Sequence, residues 1–130
     1  MAERFVLDTS ALLALLFEEP GQEVVQAAIT GGDTAMSAVN FAEVVEKLSR
    51  LGDGGAQASG VIRSLGMEIV DFDHVQAAQV GKLEPILHRR NISLTDRACL
   101  VQARTRGWPA LTADRPWASL DIGVEVRLIR

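Results

Sequence analysis

Four acidic residues stand where a predicted strand passes into a helix or just inside a helix: Asp8, Glu43, Asp96 and Asp114. Asp8 follows the apolar run 5–7, and the pattern after it predicts a helix that begins at once. Asp114 follows the short run 110–113 in the same way. Because ligands bind outside the carboxyl ends of parallel strands, these carboxylates are predicted to share one site.

Strand and helix signals alternate along the chain that must position these acids. Strands are predicted at 4–8, 34–37, 67–72, 109–113 and 124–129. Helices are predicted at 9–17, from Pro20 to a stop at 31–33, at 41–51 with a stop at 52–55, at 56–66, at 74–90 with a break at Pro85, and at 95–106. Strands separated by helices need crossover connections, so the predicted class is α/β, with a mainly parallel, roughly five-stranded sheet covered on both faces.

Length and composition predict one domain, residues 1–130. With 48% hydrophobic and 23% charged residues, the chain is too apolar for a disordered protein. Its longest wholly apolar run, 11–17, is far shorter than the roughly 20 residues that a bilayer requires, and Glu3 and Arg4 argue against a secretory signal. We therefore expect a cytoplasmic protein with no membrane segment, whose single cysteine, Cys99, is a buried small hydrophobe.

Charge divides the chain unevenly, with a net charge of −8 over residues 1–80 and +4 over 81–130. The 88–115 stretch contains His88 and six arginines, at positions 89, 90, 97, 104, 106 and 115. Such a stretch could form a basic surface that brings a polyanion to a metal site. An ordinary solvated helix face would give the same count, so charge alone leaves both interpretations open.

Each acid taken singly also has an ordinary structural explanation. Asp8 and Asp96 could cap helices, and Asn40-x-x-Glu43 and Ser93-x-x-Asp96 could be capping boxes. Glu43 could pair with Lys47 at i+4, and Asp114 could be a turn residue. Their joint placement favours a site, because carboxylates that converge repel one another unless a cation neutralises them. Mg²⁺ or Mn²⁺ fits, since both prefer hard oxygen ligands.

Other metal ligands are sparse in the sequence. The two histidines, His74 and His88, are predicted to be surface helix residues, and neither stands in a ligand spacing with Cys99. The hydroxyls of Thr9 and Ser10 could either cap a helix or contact a water or phosphate. Arg97 and Arg115, each next to a site acid, could contact phosphate or only reach solvent.

Four segments together resemble the successive motifs of PIN-domain ribonucleases, and more narrowly of the VapC toxins of bacterial and archaeal VapBC toxin-antitoxin pairs. The segments are FVLDTSAL at 5–12, NFAEV at 40–44, SLTDRACL at 93–100 and LTADRPW at 111–117. The resemblance implies a PIN-like α/β/α sandwich, an acidic Mg²⁺ or Mn²⁺ site, and metal-assisted endonucleolytic cleavage of RNA. It also implies a VapB-like antitoxin as partner, a homodimer, and catalytic, metal-binding roles for Asp8, Glu43, Asp96 and Asp114.

Two residues depart from the family pattern. Trp117 stands where some PIN nucleases carry a further acid, so a second metal would have fewer protein ligands, and Thr95 replaces a smaller residue. The main rival is a receiver-like phospho-acceptor module, which should have a lysine after its last strand-helix junction, yet no lysine follows Lys82. A haloacid-dehalogenase-like phosphatase would need an aspartate where Ser10 stands. A catalytically silent PIN-fold binding module is the third alternative, against which the complete acid set argues.

Overall fold

A five-stranded parallel sheet forms the centre of the computed structural model, which describes residues 3–52 and 54–130. Its strands are β1 Arg4–Leu7, β2 Asp33–Ser37, β3 Glu68–Val70, β4 Ala110–Thr112 and β5 Val126–Leu128. All four pairings are parallel, in the order β3-β2-β1-β4-β5. The predicted class is confirmed, and each predicted strand is present; four are shorter than predicted, and β2 begins one residue earlier, at Asp33.

Seven helices cover the sheet in the described part of the chain. They are α1 Thr9–Leu16, α2 Gln22–Gly31, α3 Ala38–Ser49, α4 Gly54–Ser64, α5 His74–Lys82, α6 Glu84–Leu87 and α7 Leu94–Arg106. Side chains alternate across a strand, so Phe5 and Leu7 pack into the core under α1–α4 while Val6 packs into the core under α5–α7. The sheet is thus the middle layer of three.

Several predicted boundaries were wrong, among them those of α3 and α4, which begin and end two or three residues before the predicted 41–51 and 56–66. Helix α2 begins at Gln22 rather than at Pro20, because Gly21 has a left-handed backbone (φ 95°) just before it. The predicted 74–90 helix is interrupted as expected, but the break lies at Leu83 rather than at Pro85, which stands in the first turn of α6, and α6 ends at Leu87. A 3₁₀ helix at 115–119 follows Asp114, where only a break was expected. The predicted stop at 52–55 is wrong in its second half, because α4 already begins at Gly54, and Asp53 lies outside the described residues.

The topological switch point of the sheet, where the order in which strands are added reverses, lies between β1 and β4. After β1 the chain builds β2 and β3 on one side, and β4 and β5 are then added on the other side. Leu7 lies in register with Leu111, and the Asp8 N–H donates to the Leu111 carbonyl at 3.1 Å. A crevice is expected at such a switch point, outside the carboxyl ends of the strands. Within the described residues, no helix is long and apolar enough to span a membrane.

Candidate active site

The four acids identified from the sequence line one cavity of about 350 Å³ at the carboxyl end of the sheet. Asp8 follows β1, and Asp114 follows the adjacent strand β4. Glu43 lies in the second turn of α3, and Asp96 lies in the first turn of α7. The remaining lining residues are Thr9, Ser10, Leu13, Phe17, Glu19 and Lys47. The structure therefore brings the four together, while their catalytic and metal-binding roles stay predictions.

Asp8 is the most buried of the four, with a relative exposure of 3%. It caps α1, because Oδ1 accepts a hydrogen bond from the Ala11 N–H at 2.9 Å. The Ser10 hydroxyl donates to Oδ1 at 2.8 Å, and the Thr112 hydroxyl donates to Oδ2 at 2.6 Å. Since a carboxylate has about four acceptor positions, these three bonds leave roughly one position of Asp8 for another ligand.

The two hydroxyls that hold Asp8 have their directions fixed by backbone donors. Ser10 Oγ accepts from the Ala113 N–H at 2.9 Å, and Thr112 Oγ1 accepts from the Asp114 N–H at 3.0 Å. Each hydroxyl proton is therefore free to point at the Asp8 carboxylate. We call Ser10 and Thr112 the hydroxyl pair, because their hydrogen bonds join the end of β1 to the loop that carries Asp114.

Burial raises the pKa of Asp8 from 3.8 to about 6. The bonds from Thr112, Ala11 and Ser10 oppose this shift, and the negative charge of Asp96 adds to it. Burial likewise raises the pKa of Asp96, and the charges of Asp114 and Glu43 add to that shift. The acids therefore interact electrostatically.

Asp96 is both a capping residue and a site residue. Ser93 Oγ accepts from the Asp96 N–H at 3.1 Å, and Asp96 Oδ2 accepts from the Ser93 N–H at 3.2 Å, which completes a capping box. Oδ1 accepts no hydrogen bond from the described part of the chain, and the residue lines the cavity. The capping alternative is thus confirmed for Asp96, and it leaves one oxygen available.

The structure supports neither of the two structural explanations that the sequence suggested for Glu43. Ser37, not Asn40, caps α3, so the proposed Asn40 capping box is wrong. Among the described residues no ion pair joins Glu43 to Lys47, although both line the cavity. The half-buried Glu43 carboxylate therefore faces the same space as the other three acids.

Asn40 is a site-supporting residue that the sequence interpretation missed. It is 1% exposed, and its amide donates to Thr9 Oγ1 at 3.4 Å and to the Thr95 carbonyl at 3.3 Å. Thr9 follows Asp8 and Thr95 precedes Asp96, so Asn40 ties together the segments that carry both aspartates. The only available signal was a polar residue one turn before Glu43, and that spacing is also the spacing of a cap.

The structure turns one of the two candidate arginines, Arg97, away from the cavity, whereas a phosphate contact of Arg115 stays a prediction. Arg97 is 8% exposed, and its guanidinium donates to the Ile92 carbonyl at 3.0 Å and to Glu84 at 2.7 Å, away from the cavity. Arg115 is exposed and lies outside the residues that line the cavity. The Thr9 hydroxyl donates to the Asn40 carbonyl at 3.3 Å, and Ser10 holds Asp8, so both hydroxyls support the site from within the protein.

The arginines of the 88–115 stretch do not form one continuous basic surface. Arg97 is buried. Arg106 makes a two-bond ion pair with Glu68 near Trp108 and Arg4, at the amino ends of the strands and thus at the end of the sheet opposite the cavity. Arg90 donates to Ser119 at 2.8 Å. Guidance of a polyanion by this stretch as a unit is therefore not supported.

The remaining candidate ligands lie as the sequence predicted. Cys99 is fully buried, and burial, together with the charges of Asp8 and Asp96, raises the pKa of its thiol. His74 and His88 are exposed, and His88 contacts Glu84 at 2.9 Å. Cys99 thus lies beneath the site as a small apolar residue.

The donor set of the cavity fits Mg²⁺ or Mn²⁺. All four acids supply hard carboxylate oxygens, which these ions prefer. As placed in residues 3–52 and 54–130, no three His, Cys, Asp or Glu side chains stand together as a group that could hold a metal ion by themselves. Mg²⁺ sites of the kind used with phosphate substrates need only one or two carboxylates, with water and substrate supplying the rest. Asp8 and Asp96 each have an oxygen position available for this purpose.

Comparison with known proteins adds independent evidence. The family model described as PIN domain matches residues 5–123. No curated protein sequence matches this chain. Similar solved folds include a chain of DNA-bound VapBC from Salmonella typhimurium, with TM-score 0.74, 16% identity, and coverage of 98% of this chain and 99% of that one. They also include Mycobacterium tuberculosis VapC20, a sarcin-ricin loop cleaving toxin, with TM-score 0.72, 16% identity, and coverage of 93% and 98%. VapBC-1 from nontypeable Haemophilus influenzae gives TM-score 0.73, 16% identity, and coverage of 97% and 98%.

Proposed function

This chain belongs to the PIN domain family, and from that premise we propose that it is a Mg²⁺- or Mn²⁺-dependent endoribonuclease and the toxin of a toxin-antitoxin pair. One observation carries the proposal. Four carboxylates line a single cavity at the switch point of a parallel sheet, and two of them have raised pKa values. Carboxylates that line one cavity and repel one another are suited to binding a cation.

Asp8 and Asp96 would hold the metal, with Glu43 and Asp114 beside them. The bound ion would act as a Lewis acid and lower the pKa of a water molecule for attack on a phosphodiester. The hydroxyl pair and the Ala11 N–H all donate hydrogen bonds to Asp8. These bonds favour the ionised form of the buried carboxylate. Trp117 is fully buried and hydrophobic, so a second ion would rely on Glu43, Asp114 and the substrate.

RNA is the proposed substrate, since one similar fold belongs to a toxin described as cleaving the sarcin-ricin loop. A VapB-like antitoxin is the proposed partner, because several similar folds are VapBC complexes. We also propose a homodimer, for which light scattering should give twice the 14.0 kDa chain mass. A mass near 14 kDa at micromolar concentration would reject the dimer for the free protein.

A growth experiment tests the toxin role. Production of the wild-type chain alone should arrest growth and fragment cellular RNA, and Asp96→Asn should abolish both effects. Asp73→Asn is the matched control, because Asp73 also caps a helix, accepting from the Gln76 N–H at 2.9 Å, but lies outside the cavity. Co-production of a small protein encoded beside this gene should restore growth. Normal growth and intact RNA, with abundant folded wild-type protein, would favour a silent binding module.

A further inference from the structure

One exposed aromatic ring stands at the mouth of the acidic cavity. The chain has four phenylalanines, two tryptophans and no tyrosine, and all six aromatic residues lie in the described part of the structure. Phe17 is 41% exposed, whereas the other five are buried or half-buried. Phe17 also lines the cavity that contains Asp8 and Asp96. The protein therefore leaves a large apolar side chain in water next to its candidate active site.

The ring is attached to a well-defined helix end. Phe17 is the residue that ends α1, and its N–H donates to the Leu13 carbonyl at 2.8 Å. Leu13, 7% exposed, lines the same cavity. Asp8 caps the other end of this eight-residue helix. The distance between the Phe17 backbone and the end of β1 is consequently fixed by secondary structure, so only side-chain rotation of Phe17 is lost when the ring binds a ligand.

Electrostatics explains why such a ring would be needed. The cavity is lined by one cation, Lys47, and by five carboxylates: Asp8, Glu19, Glu43, Asp96 and Asp114. Lys47 forms no ion pair with the described part of the chain. Such a cavity repels phosphates except where a bound metal ion or Lys47 contacts them. Much of the affinity for a nucleic acid must therefore come from uncharged contacts.

We propose that Phe17 stacks on an unpaired base next to the cleaved phosphodiester, and that Lys47 binds a neighbouring phosphate. The inference rests on the proposed ribonuclease function and narrows its substrate to single-stranded RNA segments or loops. Bases inside a duplex are stacked on their neighbours, so only an unpaired base can present its face to a protein ring. Stacking on an aromatic side chain tolerates any base, so Phe17 places the strand and leaves sequence choice to other residues.

Direct binding to a defined probe tests the role of Phe17. The probe is a fluorescein-labelled single strand of ten adenosines, with Ca²⁺ in place of Mg²⁺ so that binding is measured without turnover. Phe17→Leu keeps an apolar side chain but has no ring face, and it should weaken binding about tenfold. Phe17→Trp should bind as tightly as wild type, and the indole emission should be quenched when RNA is added. Ile86→Ala, which removes another exposed apolar side chain outside the cavity, should bind like wild type.

A matched pair of lysine variants tests the phosphate contact. Lys47→Met should weaken binding and reduce the slope of log affinity against log salt by about 0.7, the value for one phosphate contact on a single strand. Lys82→Met is the control, because Lys82 is the only other lysine, is exposed, and lies outside the cavity. It should leave the slope within error of wild type.

The outcomes separate this inference from the function on which it rests. If wild type neither binds the probe nor cleaves any RNA, the proposed function and this inference both fail. If wild type binds while Phe17→Leu binds equally tightly at an unchanged melting temperature, only the stacking role fails, and the ring is then available for a protein partner. Equal affinity for a ten-base-pair RNA duplex would also overturn the single-strand assignment.

Discussion

Replacement of Asp96 by asparagine distinguishes a metal site from a simple helix cap, because the two interpretations predict different changes in the stability of the protein and in its response to metal. Asparagine keeps the shape of the side chain, and its amide oxygen can still accept the Ser93 N–H that Asp96 Oδ2 accepts at 3.2 Å. What the substitution removes is one negative charge from the cavity. We therefore expect the metal-free variant to be at least as stable as wild type, and its response to metal to be weaker.

The size of the effect follows from the environment of the acids. A pKa of about 6 for Asp8, raised from 3.8, corresponds to about 3 kcal/mol for keeping it ionised at neutral pH. Burial is the largest cause of that cost and the charge of Asp96 the smallest, so the substitution relieves only a small part of the cost at Asp8. At position 96 itself, asparagine no longer carries the cost of a half-buried charge or its repulsion by the other acids, and both effects further stabilise the variant. Its neutral amide oxygen accepts a weaker hydrogen bond from the Ser93 N–H, and this effect destabilises it. Because Asp96 is only half-buried, solvent screening limits the net stabilisation to about 1 kcal/mol or less, which is roughly 4 °C or less in melting temperature for a chain of this size.

Thermal melts at neutral pH, with and without millimolar Mn²⁺, provide the assay. Wild type should gain stability with Mn²⁺, and Asp96→Asn should gain clearly less, because metal stabilises only as strongly as it binds the folded state. Asp96→Ala, which also loses the acceptor for Ser93, should melt below Asp96→Asn in the absence of metal. Asp73→Asn should match wild type in both conditions. An unchanged Mn²⁺ response in both Asp96 variants would refute the shared metal site.

Three further predictions concern the groups around the cavity and the core. In metal-free protein the raised pKa of Asp8 means that the folded state binds its proton more tightly than the unfolded state, so the contribution of Asp8 to stability should fall by about 3 kcal/mol as pH rises from about 4 through 6; the difference between urea melts of wild type and Asp8→Asn across this range checks the sign. Thr112→Val should raise the pKa of Asp8 further and weaken the Mn²⁺ response, and Thr112→Ser should restore both. Arg97→Met should cost about 2 kcal/mol of stability through the lost bond to the Ile92 carbonyl, while RNA cleavage per folded molecule stays at the wild-type level.

The sheet and the convergence of the acids could be predicted because each rests on local patterns that agree with one another. An apolar run that ends in Asp8 and a second that ends in Asp114 predict two strand tips, and crossover connections require both tips to lie at one edge. Asp96 illustrates where local patterns become ambiguous, since its spacing from Ser93 predicts a cap and the structure shows that it serves as a cap and faces the cavity.

Features that depend on long-range contacts could not be predicted. The bond from Thr112 to Asp8 joins residues 104 positions apart, and the Asn40 tie joins α3 to the segments at Thr9 and Thr95. Neither leaves a local pattern. Arg97 shows the same limitation, because its place beside Asp96 in the sequence says nothing about its helix face, and one position along an α-helix turns a side chain by about 100°.

Gly21 shows how a single distant contact fixes a helix start. A Cβ at this position would lie 2.6 Å from the Ile129 carbonyl oxygen, and the backbone φ of +95° is unfavourable for any other residue. Gly21→Ala should therefore cost about 2 kcal/mol or more, measured by urea unfolding. Gly60→Ala is the control, since a Cβ there meets no atom within 4 Å in the middle of a helix. A cost for Gly60→Ala as large as that for Gly21→Ala would contradict the steric explanation.

Metal-dependent cleavage of RNA by purified protein tests the central claim most directly. A labelled single-stranded RNA would be incubated with wild type, Asp96→Asn or Asp73→Asn, in Mn²⁺ or in EDTA, and the products separated on a denaturing gel. We predict cleavage by wild type and Asp73→Asn in Mn²⁺ only, and none by Asp96→Asn in either condition. Undiminished cleavage in EDTA, or cleavage by Asp96→Asn at the wild-type rate, would contradict a metal-dependent nuclease built on these four acids.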